Sequence, residues 1–318
     1  MQLKMRSIVK GIATRVPLFA GLANSSAGGT VTARYCYTVW LRHLVTVTKV
    51  VGTFRPQCVA ELGPGDSLGV GLAAMLCGAN RYYALDRLEF ANAQGNLEIF
   101  EELVELFGNR SPIPNDSEFP GVYPKLENYE FPSALLDDEW LGKCLDSQRL
   151  ERIRRLVATA AKSDGEIEIR YFAPWNASAT IQPESVDWIF SQAVLEHVDD
   201  VSDAYRNLKE WLRPSGLMSH RIDYTCHGLT HDWNGHWTVS DAMWKVVRGQ
   251  RAYLINRLPH SAHVQALKAC GLRIVYEIKT TGSRLQRASL ARSFSRLDDE
   301  DLTTSGAFVI AKKQNSGA

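Results

Sequence analysis

The sequence of 318 residues lacks several features that would place it in a specialised class of protein. Its six cysteines are scattered without a Cys-x-x-Cys pair, which argues against a zinc ribbon or a thioredoxin-type site. A disulfide framework is not expected in a chain of this length, so the thiols are predicted to be free and mostly buried. The longest uncharged N-terminal run, residues 16–33, contains Pro17 and several polar side chains and is too polar to span a bilayer.

A net charge of one sign is also absent, since 36 Lys and Arg residues oppose 35 Asp and Glu residues. This balance argues against nucleic acid as a partner of the whole protein. The charges are nevertheless unevenly placed, because eight basic residues and no acidic residue precede Glu61. The whole chain is 45% hydrophobic and 22% charged, which is the composition of an ordinary globular protein.

The N-terminal arm, residues 3–20, spaces its apolar residues as a helix does and carries basic residues between them. Three interpretations are open: a basic amphipathic helix on an anionic membrane face, a transit-like peptide, or an arm packed on its own domain. A secretory signal is disfavoured, because Lys10 and Arg15 interrupt the apolar region. We expect a cytoplasmic protein, with peripheral membrane contact through this arm as an open alternative.

Beyond residue 55, short apolar runs alternate with amphipathic stretches, which predicts an α/β domain with a mainly parallel sheet. The predicted strands are CVAEL, RYYALD, EIEIRYF, VDWIFS, LMSHRIDY, LRIVYEI and GAFVIAKK. We divide the chain into a basic N-terminal arm with lead-in helices, residues 1–55, and a main domain, residues 56–315.

A long insertion, residues 88–160, follows the second predicted strand of the main domain. Five of the twelve prolines lie in residues 111–132, so this part is expected to be irregular but stiff. Because the preceding strand ends where a ligand would bind, we predict that the insertion is a lid over the acceptor. An outward-facing embellishment or an oligomer contact is the alternative.

A glycine-rich turn, Glu61-Leu-Gly63-Pro64-Gly65-Asp66, follows the first predicted strand and lets the backbone approach a ligand closely. A dinucleotide fingerprint requires a third glycine where Leu68 stands, and the two flanking acids would repel a pyrophosphate. Asp86, which ends the next strand about 20 residues on, is placed to accept ribose hydroxyls. These residues suit a cationic ligand with a ribose diol and no phosphate, and S-adenosylmethionine has this chemistry.

At these motifs the sequence resembles the class I S-adenosylmethionine-dependent methyltransferase family. The resemblance covers about residues 58–225 and is carried by ELGPGDSLG, YYALD, ESVDWIFSQAVLEHVDD and WLRPSGLMSHRIDY. It implies a Rossmann-like, doubly wound, seven-stranded sheet with the last strand antiparallel, which makes residues 56–315 a methyltransferase domain. The cofactor contacts implied by the matched motifs and their neighbours are Glu61, Gly63, Pro64, Gly65, Asp66, Asp86, Trp175, Ser191, Gln192 and Ala193.

One departure from the family concerns the adenine of the cofactor. The family often has an Asp after the third strand, whereas residues 171–176 contain no acid. Stacking by Trp175, a contact from Asn176, or the backbone would have to replace it.

Methyl transfer to a hydroxyl also needs a base, and five of the eight histidines lie in residues 197–236. His220 is the leading candidate for the base, with Asp223 orienting it or binding the acceptor. His227 and His236 complete the predicted catalytic set. We expect His197 to order the turn after the fourth strand. No metal is predicted, although His227, His231 and Asp232 form an alternative ligand set for a divalent ion.

Together these features predict an enzyme that O-methylates a sugar, a glycan or another small hydroxylated acceptor. The alternatives are a non-catalytic methyltransferase-like module and an N-methyltransferase. The expected partner is a small-molecule or glycan acceptor, with no nucleic acid. The basic arm and the polar, aromatic loop after the fifth strand favour a lipid-linked acceptor at a membrane face.

Overall fold

The computed structural model describes residues 3–15, 29–160, 162–175, 181–251 and 254–314. Within these residues the strands are β1 (Cys58–Leu62), β2 (Arg81–Leu85), β3 (Glu168–Phe172), β4 (Val186–Gln192), β5 (Leu212–Asp223), β6 (Leu272–Thr281) and β7 (Thr304–Lys313). The α-helices are α1 (Met5–Ala13), α2 (Ala33–Val51), α3 (Gly69–Leu76), α4 (Ala93–Gly108), α5 (Asp138–Cys144), α6 (Ser147–Thr159), α7 (Val201–Trp211), α8 (Asp241–Arg248) and α9 (His260–Ala269).

The seven strands form one sheet in the order β3-β2-β1-β4-β5-β7-β6. β1 pairs in parallel with β2 and β4, and β7 pairs antiparallel with both β5 and β6. The predicted doubly wound sheet with an antiparallel last strand is therefore confirmed. The chain reverses its direction of travel across the sheet at β1, so the carboxyl ends of β1 and β4 border the crevice where ligands bind in such sheets.

Buried side chains cover both faces of the sheet. All five residues of β1 are buried, which is typical of a central parallel strand. On one face α2 packs through Trp40, whose ring lies 4.7 Å from that of Trp188. On the other face α7 and α9 cover a second apolar cluster that includes Tyr205 and Leu267.

The helix α3 lies unusually close to the sheet because of a glycine. A Cβ atom at Gly71 would lie 1.9 Å from the ring of Tyr82 on β2. All residues of α3 are buried, so the helix has no polar face. Its N-terminus is thereby held directly behind the turn that follows β1.

The segment between β2 and β3, which includes the predicted insertion, contains α4, α5 and α6. Its irregular part, residues 111–132, is bound to α2 by Arg42, whose side chain is fully buried. The guanidinium donates to the carbonyl oxygens of Pro114 and Val122 at 2.8 and 2.7 Å and to Asp116 at 2.9 Å. Directly after Val122 the segment reaches β5, where the guanidinium of Arg221 lies 4.4 Å from the ring centre of Tyr123. Closure over the acceptor stays a prediction.

The first helix packs on the region that follows β5. Ser7 donates to the carbonyl of Leu229 at 3.2 Å, and a Cβ atom at Gly11 would lie 2.2 Å from the carbonyl oxygen of Val246. The inner face of α1 is thus packed on its own domain, which agrees with the interpretation of the N-terminal segment as a packed arm. Its outer face is exposed at Met5, Val9 and Ile12, by 73%, 57% and 52%. Among the described helices none is both long and apolar enough to cross a bilayer.

Removal of Arg42 should show how firmly residues 111–132 are anchored. Arg42→Met leaves the carbonyl of Val122 without its donor, whereas that of Pro114 keeps the hydroxyl of Thr38 at 2.7 Å, so the free energy of unfolding should fall by about 1–3 kcal/mol. Denaturant unfolding measures this change. Arg34→Met is the matched control, since it breaks only the exposed pair with Glu118, worth about 0–1 kcal/mol. Equal losses in the two variants would show that the buried anchor is not what holds the segment.

Candidate functional site

The turn after β1 is shaped by two glycines with positive φ, Gly63 at +70° and Gly65 at +76°. A Cβ atom at Gly63 would also lie 2.5 Å from the side chain of Val194, which belongs to the turn after β4. Only glycine therefore allows the two turns to meet. These two glycines give the backbone the conformation that the predicted close approach to a ligand requires.

A cleft of about 410 Å³ opens beside these two turns at the carboxyl edge of the sheet. Its described lining consists of Gly63, Leu85, Asp86, Arg87, Pro174, Trp175, Val194, His197, Val198, Asp199, Asp200, Asp203, Ala204 and Asn207. Of the predicted cofactor residues, Gly63, Asp86 and Trp175 contribute to this lining. Asn176 lies outside the described residues.

The cleft presents four carboxylates and one guanidinium among the lining residues, and two of the carboxylates are paired with arginines, Asp199 with Arg248 and Asp203 with Arg206. Asp86 accepts hydrogen bonds from the backbone N–H groups of Gly65 at 3.3 Å and Arg87 at 2.6 Å. Burial raises the pKa of Asp86, and these hydrogen bonds oppose the rise. Such a lining favours a cationic ligand and disfavours a phosphate, so the residues present fit S-adenosylmethionine.

Other predicted cofactor residues lie behind the cleft. Glu61 is buried and accepts a hydrogen bond from the hydroxyl of Tyr82 at 2.6 Å, while burial raises the pKa of its carboxyl to about 8. The expectation that Glu61 contacts the cofactor is corrected, because its side chain points into the core under α3. Pro64 supports the turn, since its carbonyl accepts the hydroxyl of Thr30 at 2.9 Å.

The remaining predicted contacts lie on or near the turns. Asp66 stands half-buried on the first turn, and Ala193 adopts φ +56° after β4. Ser191 and Gln192 are engaged by histidines, Ser191 with His220 and Gln192 with His43. Neither residue belongs to the described lining of the cleft.

The structure contradicts the assignment of His220 as the general base. Its side chain is fully buried within β5, and its Nδ1 lies 2.8 Å from the hydroxyl oxygen of Ser191. Burial lowers the pKa of His220 to about 3. His236, only 1% exposed, has its pKa lowered to about 3 by burial as well. Neither imidazole belongs to the described lining of the cleft.

A second cavity of about 360 Å³ adjoins the acidic cleft. Its described lining is Arg6, Ser7, Lys10, His197, His227, Gly228, Leu229, Arg251, Leu254 and Ile255. We call it the basic chamber, because it presents three permanent cations and no carboxylate among these residues. His197 lines both cavities and therefore stands at their junction.

His227 and Asp223 form an ion pair at this junction, with 3.4 Å between Nε2 and the carboxylate. Burial works to lower the pKa of His227, but the bond to Asp223 outweighs it and the net shift is upward. Burial works to raise the pKa of Asp223, yet the hydrogen bonds from His227 and Thr225 lower it to about 2. Asp223 thus pairs with His227 rather than with His220.

Glu196 was not predicted as a functional residue. It lies in the turn Leu195–His197, only 2% exposed, and burial raises its pKa to about 8. The amide of Asn256 fixes this turn by donating to the carbonyls of Leu195 and Val198 at 2.9 and 2.8 Å. Ligand atoms of Glu196, His197 and His227 lie within 4.8 Å of one another.

Comparison with known proteins agrees with this geometry. Residues 148–219, which run from α6 into β5, match a family model described as "Methyltransferase domain". The comparison with curated proteins gave no match.

Solved structures resemble the chain more distantly. An S-adenosylmethionine-dependent methyltransferase from Mesorhizobium loti is 13% identical, with 86% of this chain and 98% of that one covered and a TM-score of 0.41. A methyltransferase from Methanosarcina mazei is 12% identical, with coverages of 84% and 96% and a TM-score of 0.41. A geranyl diphosphate methyltransferase solved with S-adenosylmethionine is 10% identical, with coverages of 86% and 84% and a TM-score of 0.43.

The strand order and the cleft beside the glycine turn define a Rossmann-like methyltransferase fold. Residues 148–219, which match the methyltransferase domain model, lie within this fold. The cleft beside the glycine turn fits S-adenosylmethionine, the methyl donor that such a domain would use.

Asp86 offers a direct test of how the cofactor is held. If its carboxylate binds the ribose hydroxyls, Asp86→Ala should weaken the affinity for S-adenosylmethionine by about 1.5–3 kcal/mol, as measured by calorimetry. Glu61→Gln is the control, since it keeps the shape of a residue that does not line the cleft, and it should leave the affinity nearly unchanged. A correctly folded Asp86→Ala protein with wild-type affinity would remove Asp86 from the binding site.

Proposed function

We propose that the chain is a class I S-adenosylmethionine-dependent methyltransferase that methylates a hydroxyl group of a small acceptor, such as a sugar or glycan, that carries an acidic group. The observation that carries this proposal is the pair of adjacent cavities with opposite charge that share His197. The acidic cleft suits a sulfonium and ammonium cofactor. The basic chamber suits the second reactant.

The lining of the basic chamber indicates the acceptor's charge. Arg6 and Lys10 reach the chamber from α1, and Arg251 from the segment after α8. Arg251 is held in place by its bonds to the carbonyls of Ser7 and Val247. Cations grouped in this way recognise a phosphate or carboxylate through charge-assisted hydrogen bonds.

S-adenosylmethionine, when bound, supplies a methyl group on an electron-poor sulfonium. The chain's own contribution is first positional, because an oriented acceptor reacts much faster than one free in solution. A hydroxyl must also lose its proton, and among the described residues the groups at the junction of the two cavities are placed to assist. We assign this task to the junction cluster, defined as Glu196, His197, Asp223 and His227.

Substitution of His227 tests the junction cluster. His227→Ala should lower the rate of methyl transfer about 10²–10⁴-fold, the usual contribution of acid–base assistance, while the affinity for S-adenosylmethionine stays unchanged. Turnover is measured as formation of the demethylated cofactor with pools of hydroxylated acids. His231→Ala is the matched control, since His231 is exposed on the same loop and lines neither cavity.

If His227→Ala costs only a few-fold, proton removal does not limit the reaction. An amine acceptor would then explain the site better, because a free amine attacks without prior deprotonation. Binding of the cofactor with no turnover on any pool would contradict the assignment of a small hydroxylated acceptor.

We further propose that the acceptor is met at an anionic membrane face, on which α1 lies. Met5, Val9 and Ile12 follow helical spacing and form an exposed apolar stripe on α1. Lys4, Arg6 and Lys10 accompany them, and no acidic residue precedes Glu61. An amphipathic helix of this kind buries its apolar stripe at the lipid interface while its cations attract anionic headgroups. Because α1 also lines the basic chamber, a lipid-linked acceptor would enter directly from the membrane.

Vesicle sedimentation tests this contact. The protein should bind vesicles of phosphatidylcholine with phosphatidylserine better than phosphatidylcholine alone, and less at high salt. The triple variant Met5→Ser, Val9→Ser, Ile12→Ser should bind at least about tenfold more weakly, since each apolar side chain contributes on the order of 1 kcal/mol or more. Val31→Ser, at a 64% exposed valine outside α1, is the control.

Equal vesicle binding by the triple variant and the wild type would contradict the membrane proposal. A wild-type dimer in solution that the triple variant abolishes would assign the stripe to a second copy of the chain instead. Turnover of a water-soluble acceptor by the triple variant should be unchanged.

A further inference from the structure

The carboxylate of Glu196 is the most unusual group at the junction. It is 2% exposed, and neither carboxylate oxygen has a hydrogen-bond partner in the structure. A buried carboxylate without partners is costly, and buried polar groups of native proteins are almost always satisfied. The turn that carries Glu196 is firmly held, because the backbone N–H of Asn256 donates to its carbonyl oxygen at 2.6 Å. The carboxylate is therefore kept in place with its bonding capacity unused.

Two imidazoles face the same point. Ligand atoms of Glu196, His197 and His227 lie within 4.8 Å of one another, and the two rings are 5.0 Å apart. An ion that lies about 2.0–2.2 Å from each ligand spans ligand separations of roughly 3–4.5 Å, so small side-chain rotations suffice to close the site. One carboxylate and two imidazoles suit divalent ions such as Zn²⁺ and Mn²⁺.

We propose that Glu196, His197 and His227 hold a divalent metal ion of the Zn²⁺ or Mn²⁺ kind between the cofactor cleft and the basic chamber. Asp223 is a positioning residue in this arrangement, because it holds the His227 ring by the 3.4 Å contact with Nε2. The alternative ligand set considered from the sequence was His227, His231 and Asp232. The structure retains only His227 of these three, because His231 and Asp232 are exposed.

The role of the ion rests on the proposed O-methylation. Three protein ligands leave coordination positions open, and both histidines line the basic chamber. The hydroxyl of an acceptor in the chamber can occupy an open position, where the cation makes its proton more acidic. The proton passes to solvent, the oxygen forms the new bond to the methyl carbon, and the carbon–sulfur bond breaks with its electron pair left on sulfur.

The experiment uses the full chain, stripped of metal with a chelator and then titrated with Zn²⁺ or Mn²⁺. Calorimetry, elemental analysis and the Mn²⁺ spin-resonance signal should each show one ion per chain. Glu196→Gln, which keeps the shape of the side chain, should weaken binding at least about tenfold. The double variant His231→Ala, Asp232→Asn is the matched control and should bind as the wild type does. Circular dichroism checks the fold of each protein.

The outcomes separate the metal from the methyl transfer. A stripped enzyme that loses turnover and regains it with Mn²⁺ or Zn²⁺ supports the proposal. No stoichiometric ion, or an unchanged affinity in Glu196→Gln, overturns it. If the stripped chain is fully active while His227→Ala is inactive, the metal proposal fails and the proposed O-methylation stands with His227 as the base. If the ion binds but no hydroxylated acceptor is turned over, the metal site stands and the proposed function fails.

Discussion

The contact between the turns after β1 and β4 is the constraint on which the rest of the site depends. These strands are neighbours in the sheet, and their turns approach so closely that Gly63 has no room for a Cβ beside Val194. The cleft opens next to this contact. The same turn after β4 continues from Val194 into Leu195–His197. Because only these few backbone residues separate the two, the geometry of the cofactor cleft is coupled to that of the junction cluster.

The second constraint is the separation of charge. Carboxylates concentrate in the cofactor cleft, whereas Arg6, Lys10 and Arg251 face the basic chamber. These cations come from segments far apart in the chain, the N-terminal helix and the stretch after α8. The packing of α1 on α8 therefore does more than bury apolar surface, because it brings the basic N-terminal residues to the edge of the sheet where the ligands bind.

Much of the fold could be predicted from local sequence, because central parallel strands are short apolar runs bounded by turn residues. CVAEL and VDWIFS are strands for this reason, and the acids around the glycine turn indicated a cofactor without phosphate. The short helix α5 was missed, since its seven residues carry no clear apolar stripe. The site was less predictable, because the environment of each histidine is set by distant residues. His220 is kept neutral by its burial, and the side chains around it, such as Ser191 and the ring of Tyr205 5.9 Å away, are distant from it in sequence.

Dependence on distant residues also explains why Glu196 was not predicted as a functional residue. In the sequence it is one acid within Leu195-Glu196-His197, beside two aspartates that are exposed. Its burial depends on Asn256, about sixty residues away, which closes the turn from the other side. Burial therefore costs much less for the core histidines than for the core carboxylate of Glu196. The buried histidines stay neutral at little cost, although Nε2 of His220 and Nδ1 of His236 have no hydrogen-bond partner. The carboxylate of Glu196 keeps two unsatisfied oxygens, which a cation or a proton at the junction would relieve.

Charge separation also bears on turnover. The carboxylates of the cofactor cleft attract a sulfonium cation more strongly than the uncharged thioether that remains after methyl transfer. Conversion in the site therefore weakens the hold of the cleft on the spent cofactor without any movement of the protein. Under the proposed function, the acceptor would keep its acidic group throughout, so the basic chamber would hold substrate and product alike. Under the proposed function, exchange of the cofactor is favoured by the chemistry itself, while release of the methylated product depends on competition from the next acceptor or on the membrane face beside α1.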